Sequence, residues 1–311
     1  MSIISKIKGR FLSKINSSLF KTKWFNDTLQ FAGCKAISGL NSFNIEIANL
    51  GSSSSFHAFN YMETGLVGVN LATPKQSLKE DKEMIKNYFS HLKDGGVVII
   101  PLCLFSSLVG NDEEMPDKYY VLFQNDSIPH FSWKKKNQIY DVYTKPYKYF
   151  PLWSFPYEIL RPLKKKKNCM TQRDLEIDAD RWMNGWKHEF SIYDFTDKLS
   201  LRNNDSYSSS MQILEEIVDF CKTRNLKPVL VFPPVSKALS SRITKRMQEI
   251  YLDSFIQNSK VKDIPYFNYL NDKEFFDNTL FLNSFFLNNN GSKKFTSRVI
   301  TDLKNIGYIK G

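Results

Sequence analysis

The chain has 311 residues, 42% apolar and 14% aromatic, which excludes a disordered polymer and suits one large domain with insertions or two smaller ones. Its net charge of +11 favours an anionic partner, such as an acidic or phosphate-bearing substrate or an anionic membrane face. Nucleic acid is set aside, because no zinc-finger spacing or RNA-binding motif is present. Cys34, Cys103, Cys169 and Cys221 form no Cys-x-x-Cys pair, so neither a disulfide framework nor a metal site is expected. No leader-like apolar core and no run of about 18 apolar residues occurs, so the expected location is the cytoplasm, peripheral to a membrane at most.

Residues 1–42 read as a basic amphipathic segment. Ile4, Ile7, Phe11 and Ile15 recur at helical spacing among Lys6, Lys8, Arg10 and Lys14, and Asp27 is the one acid before residue 41. Such a segment can lie on an anionic membrane surface or dock as a helix on its own domain. An α/β domain is expected over 43–311. Phe43–Ala48 alternates apolar and polar residues like a half-buried strand, and Leu66–Leu71 reads as a second strand. Ser77-Leu78-Lys79-Glu80 is a capping-box signature that opens a helix, expected to stop at Asp94-Gly95-Gly96. Val97–Leu102 is the continuous apolar run of a buried parallel strand.

Residues from about 103 to 205 interrupt this rhythm. They are rich in tyrosine and tryptophan, from Tyr119 to Trp182, and hold Lys134-Lys135-Lys136 and Lys164-Lys165-Lys166-Lys167. They read as an inserted cap over the carboxyl edge of the sheet, since a structureless loop of that length is improbable. The lysines either line a groove for an anionic sugar polymer or form a solvated face. Beyond the insert, Leu214, Ile217, Val218 and Cys221 mark a helix and Pro228–Pro234 a strand. Leu239, Ile243, Met247 and Ile250 mark another helix, and Ile264–Tyr269 a short fifth strand. Phe295, Val299, Ile300 and Leu303 mark the closing helix. Strands alternating with helices predict a parallel five-stranded sheet with helices on both faces.

Two motifs carry chemistry. Asn49-Leu50-Gly51-Ser52-Ser53 follows the first strand, where a sharp turn into a helix leaves a hydroxyl at the carboxyl edge of the sheet. A serine there is a candidate nucleophile, and a polar turn is the plainer alternative. Near the end of the chain stands Asn283-Ser284-Phe285-Phe286-Leu287-Asn288-Asn289-Asn290-Gly291-Ser292-Lys293-Lys294-Phe295-Thr296. It resembles the last block of the SGNH/GDSL hydrolase family, Asp-x-x-His-Leu-Asn-x-x-Gly-x-x-x-Phe-Thr. Leu287, Asn288, Gly291, Phe295 and Thr296 match. Asn283 stands at the aspartate position and Phe286 at the histidine position.

The resemblance implies a flavodoxin-like sheet in the order 2-1-3-4-5 and O-acyl ester chemistry on carbohydrates, by hydrolysis or transfer. It makes Ser53 the nucleophile, and its Gly-Ser-Ser form resembles proteins of cell-surface polysaccharide biosynthesis. Asn70–Lys75 is similar to the second block, Asn-x-Gly-x-x-Gly, and so makes the Lys75 backbone amide an oxyanion donor beside that of Ser53. The third block has no counterpart directly after residue 102; Gly110-Asn111-Asp112 comes several residues later and reads as a turn. With Phe286 in place of the histidine, His57 is the surrogate base nearest in sequence, four residues after Ser53 and on its helical face. Its alternative is a packed helix residue beside Phe56 and Phe59. Two functions stay open: an O-acetyltransferase or esterase acting on a glycan or anionic glycan precursor, and a catalytically degenerate protein that binds a glycan or a partner. No cofactor or metal is implied, and the acyl donor, acetyl-CoA among the options, is open.

Overall fold

A computed structural model describes Ile37 and residues 40–109, 115–139, 170–197 and 199–310. The chain divides into two compact units, Met1–Leu40 with Glu113–Lys167, and Asn41–Asp112 with Asn168–Gly311. Residues 168–205, read from the sequence as the end of the insert, thus belong with the sheet. The amphipathic pattern at 4–15, Cys34, Cys169, Asn111 and the lysines at 164–167 lie outside the described residues.

The larger unit is an α/β fold. Its strands are β1 (Ile45–Asn49), β2 (Gly68–Asn70), β3 (Leu92–Pro101), β4 (Lys227–Phe232) and β5 (Tyr266–Asn268). All neighbours pair in parallel, in the order β2-β1-β3-β4-β5. This is the order that the resemblance implies, and it places a topological switch point between β1 and β3. The helices used below are α1 (Ser53–Ala58), α2 (Leu78–Tyr88), α3 (Gln172–Glu189), α4 (Leu201–Lys222) and α5 (Asn289–Asn305).

Strand alternation sorts the core. Ile47, Val97, Ile99, Val229 and Val231 share one buried cluster with Phe59 of the α1 end and with Phe295, Val299 and Leu303 of α5. The other face takes Ala48, Val98, Ile100 and Leu230, all buried. Burying each large aliphatic side chain contributes about 1.5–3 kcal/mol. On α2 the capping box is complete, with Ser77 N donating to Glu80 Oε2 at 2.7 Å. Cys221 is buried on α4, and burial pushes its thiol up to about 12.

Two element boundaries differ from the sequence reading. Helix α2 ends at Tyr88, and Asp94-Gly95-Gly96 lies inside β3. The register between β1 and β3 shifts there, and Gly95 takes a φ of 70° that a glycine adopts without strain. The single helix expected from Leu239 to Ile250 is broken. Lys237–Ser240 and Lys245–Gln248 are separate short helices, followed by a π-helical turn at Glu249–Asp253. Thr244 causes the restart, since its side chain accepts from Met247 N.

In the smaller unit, Tyr119–Leu122 and 133–139 are helical. Tyr119 stacks on Phe123 at 4.8 Å between ring centroids, and Tyr120 stacks on Phe131 at 5.9 Å.

Candidate functional site at the carboxyl edge

The turn from β1 into α1 depends on Gly51. Its φ is 107°, and a Cβ there would overlap the Ser55 side chain. Leu50 N donates to Ile99 O at 3.0 Å, and Gly51 N to the buried Asp81 carboxylate at 2.7 Å. Phe56 N then donates to Ser52 O at 2.9 Å, which starts the helix. Ser53 is the first helical residue, half-buried at the carboxyl end of β1. Its hydroxyl makes no hydrogen bond among the described residues.

The end of α1 is tied to the C-terminal block. Asn60 N donates to Thr296 Oγ1 at 2.8 Å, and Asn60 Nδ2 to Asn289 Oδ1 at 3.0 Å. Phe59 meets Phe295 at 5.3 Å between ring centroids. His57 consequently lies over Phe286, with centroids 4.9 Å apart and planes at 23°. Phe56 meets the imidazole edge-on at 5.2 Å. Burial holds the His57 pKa below its ordinary value of 6.5, so the ring is neutral at neutral pH.

The residues that carry the C-terminal pattern all have structural duties. Leu287 and Phe295 are in the core. Asn288 Oδ1 accepts from Asn290 N and Gly291 N, and its Nδ2 donates to Thr279 O at 2.6 Å. A Cβ on Gly291 would overlap Leu280 O. Thr296 Oγ1 donates to Ser292 O at 2.7 Å while accepting from Asn60. Asn283 also works inside its own loop, because its Oδ1 accepts from Phe285 N at 2.9 Å and Phe286 N at 2.7 Å. It closes the turn that presents Phe286.

Helix α3 supplies Asp178, which the sequence reading did not name, and Trp182, which it placed in the aromatic insert and not at this site. Asp178 is buried, and its Oδ2 accepts from Ser284 N at 3.0 Å and from Ser284 Oγ at 2.6 Å. One turn on, Trp182 stands 5.6 Å from Phe286 and 4.9 Å from Phe285, centroid to centroid. The Trp182 Nε1–H is enclosed and has no acceptor among the described residues. Arg242 holds α3 in place, with Nη1 on Glu176 at 2.6 Å and Nε on Asp180 at 2.7 Å. The i, i+4 spacing of Asp178, Trp182 and Trp186 was the available sequence signal.

The second block is less favourable to an oxyanion hole. Asn70 Oδ1 accepts from Asn49 Nδ2 and Ala72 N, and its Nδ2 donates to Phe56 O and Phe59 O at 3.2 and 3.1 Å. The side chain is therefore engaged with the end of α1. Lys75 sits in an exposed turn with a φ of 58°. That turn runs along the same sheet edge, since Thr73 N donates to Gly51 O at 3.2 Å. At the end of β3 stands Cys103, whose N–H donates to Ser106 Oγ at 2.8 Å and whose thiol is pushed up by burial. His91 stacks on Phe43, with ring centroids 4.8 Å apart. No group of three metal-ligating side chains occurs among the described residues, and none of their helices is long and apolar enough to cross a membrane.

Ser53, His57, Asn283 and Phe286 thus gather at one edge, closed by Trp182. A neutral imidazole near a hydroxyl is the raw material of a Ser–His pair. Among the described residues no carboxylate hydrogen-bonds to this imidazole; the rings of Phe56 and Phe286 pack on it. No protein-family model matches the chain, and no curated protein matches it. The fold is a five-stranded parallel α/β sheet with a candidate site at the β1 switch point.

Proposed function

We propose that this is an SGNH-like protein of cell-surface polysaccharide biosynthesis that binds a glycan at the carboxyl edge of its sheet and has lost the triad of that family. One observation carries the reading: Phe286, at the family's histidine position, stacks on His57 and is closed by Trp182. A phenyl ring accepts no proton, and Asn283 spends its oxygen on the loop backbone. Half-buried aromatic faces of this kind suit a sugar ring, whose C–H face stacks on them while hydroxyls seek polar rims. The test is titration with soluble polysaccharides, neutral and anionic, with and without O-acetyl groups. Binding that Phe286→Ala and Trp182→Ala both weaken supports the reading; no binding by any of them, or binding indifferent to both changes, contradicts it.

A second reading has its own observation. The Ser53 hydroxyl makes no hydrogen bond among the described residues, and a neutral imidazole sits one helical turn away. Glycan O-acyl transfer or ester hydrolysis would then use Ser53 as nucleophile and His57 as base, with backbone amides of Ser53 and Lys75 as oxyanion donors. Ester turnover abolished by both Ser53→Ala and His57→Ala would favour it.

A further inference from the structure

The net charge is divided unevenly between the two compact units. Met1–Leu40 with Glu113–Lys167 holds 18 of the 43 Lys and Arg but only 7 of the 32 Asp and Glu. The sheet-bearing unit is left with 25 of each, so the whole excess of +11 falls in the smaller unit. In the sheet-bearing unit many charges meet in pairs, such as Lys93 with Glu46 and Lys82 with Glu216. A positive excess confined to one unit repels itself and is offset by an anionic surface.

The described part of the smaller unit shows what such a surface would meet. Trp133 is 64% exposed at the start of the helix over 133–139. Lys134, Lys135 and Lys136 follow it directly. Lys135 Nζ lies 5.3 Å from the Tyr120 ring centre. Lys136 Nζ lies 5.5 Å from that of Trp133 and donates to Asn125 Oδ1 at 2.9 Å. An exposed indole among lysines is the pairing that lipid headgroups favour: the ring settles at the interface while ammonium groups meet anionic headgroups. The sequence again interleaves apolar and basic residues in the same unit, with Ile4, Ile7, Phe11 and Ile15 among Lys6, Lys8, Arg10 and Lys14. Nucleic acid would be served by the charge alone, and the apolar residues at helical spacing would go unused.

We propose that the smaller unit docks the protein on an anionic lipid surface, with Trp133 and Lys134, Lys135 and Lys136 at the contact. The inference is independent of the glycan reading, which concerns the other unit. The experiment is co-sedimentation of the full-length protein with phosphatidylcholine vesicles, with and without phosphatidylserine. The natural protein binds only the anionic vesicles, and raising the salt releases it. Changing Lys134, Lys135 and Lys136 together to Gln weakens partitioning about a hundredfold. A matched triple change of exposed lysines in the other unit, Lys222→Gln, Lys304→Gln and Lys310→Gln, stays within about twofold. Absent binding, salt-independent binding, or equal losses from the two triples would overturn the proposal. A nucleic-acid duplex held more tightly than the vesicles would overturn it as well.

Discussion

The imidazole of His57 lies nearly parallel to the phenyl ring of Phe286, 4.9 Å away, on the helix that begins with Ser53. This contact joins the first and last sequence blocks across the chain. It also puts an aromatic ring where the resemblance calls for a proton acceptor. The neutrality of His57 follows from the same packing, since burial disfavours the imidazolium.

That shift makes stability depend on pH with a defined sign. The folded pKa lies below the ordinary 6.5, so the unfolded chain binds the proton more readily. The contribution of His57 is present above 6.5 and is lost as pH falls toward the depressed folded value. Urea unfolding between about pH 7 and 5 will show a shallower loss of stability in His57→Phe than in the natural protein. Identical slopes would contradict the assignment.

Asp178 anchors α3 to the loop that presents Phe286. Asp178→Ala leaves the Ser284 N–H and hydroxyl buried without their acceptor and will cost about 2–4 kcal/mol in chemical denaturation. Its other partner, Arg181, is largely exposed, and Arg181→Ala will cost under about 1 kcal/mol. Comparable losses would place the anchor elsewhere.

Gly51 sets the direction of α1. Gly51→Ala meets both a φ of 107° and the Ser55 side chain, and will destabilise the fold by about 2 kcal/mol or more. A neutral effect would mean that the turn can relax without displacing Ser53.

Trp182 separates packing from recognition. Trp182→Phe keeps a ring against Phe285 and Phe286 and removes the enclosed Nε1–H, which has no acceptor among the described residues. Its unfolding free energy will stay within about 1 kcal/mol of the natural value, whereas Trp182→Ala will lose about 3 kcal/mol. A large loss in the phenylalanine variant would show that the N–H has a partner essential to the fold.

Much of the fold was legible because buried parallel strands are written as unbroken apolar runs. Val97–Pro101 and Val229–Phe232 read directly, and Ser77 with Glu80 announced α2. The breaks were not legible where backbone geometry overrode pattern. Asp94-Gly95-Gly96 looks like a helix stop yet forms the irregular start of β3, and Thr244 divides a stretch whose apolar spacing is continuous. At the site, Ser53, His57, Asn283 and Phe286 were visible as residues. The role of α3 was not: the i, i+4 spacing of Asp178, Trp182 and Trp186 marks one helix face, but Asp178 and Ser284 are 106 residues apart and neither segment signals their bond.

On the proposed reading, Asn283 and Phe286 mark a lost triad on a scaffold that still presents Ser53. The most direct measurement is p-nitrophenyl acetate hydrolysis by the natural protein, by Asn283→Asp with Phe286→His, and by that pair with Ser53→Ala. General-base assistance is worth about 10²–10⁴-fold, so the paired change will raise a near-background rate by about a hundredfold or more, and Ser53→Ala will remove the gain. Robust hydrolysis by the natural protein that requires Ser53 would contradict the claim, and so would a paired variant that gains nothing.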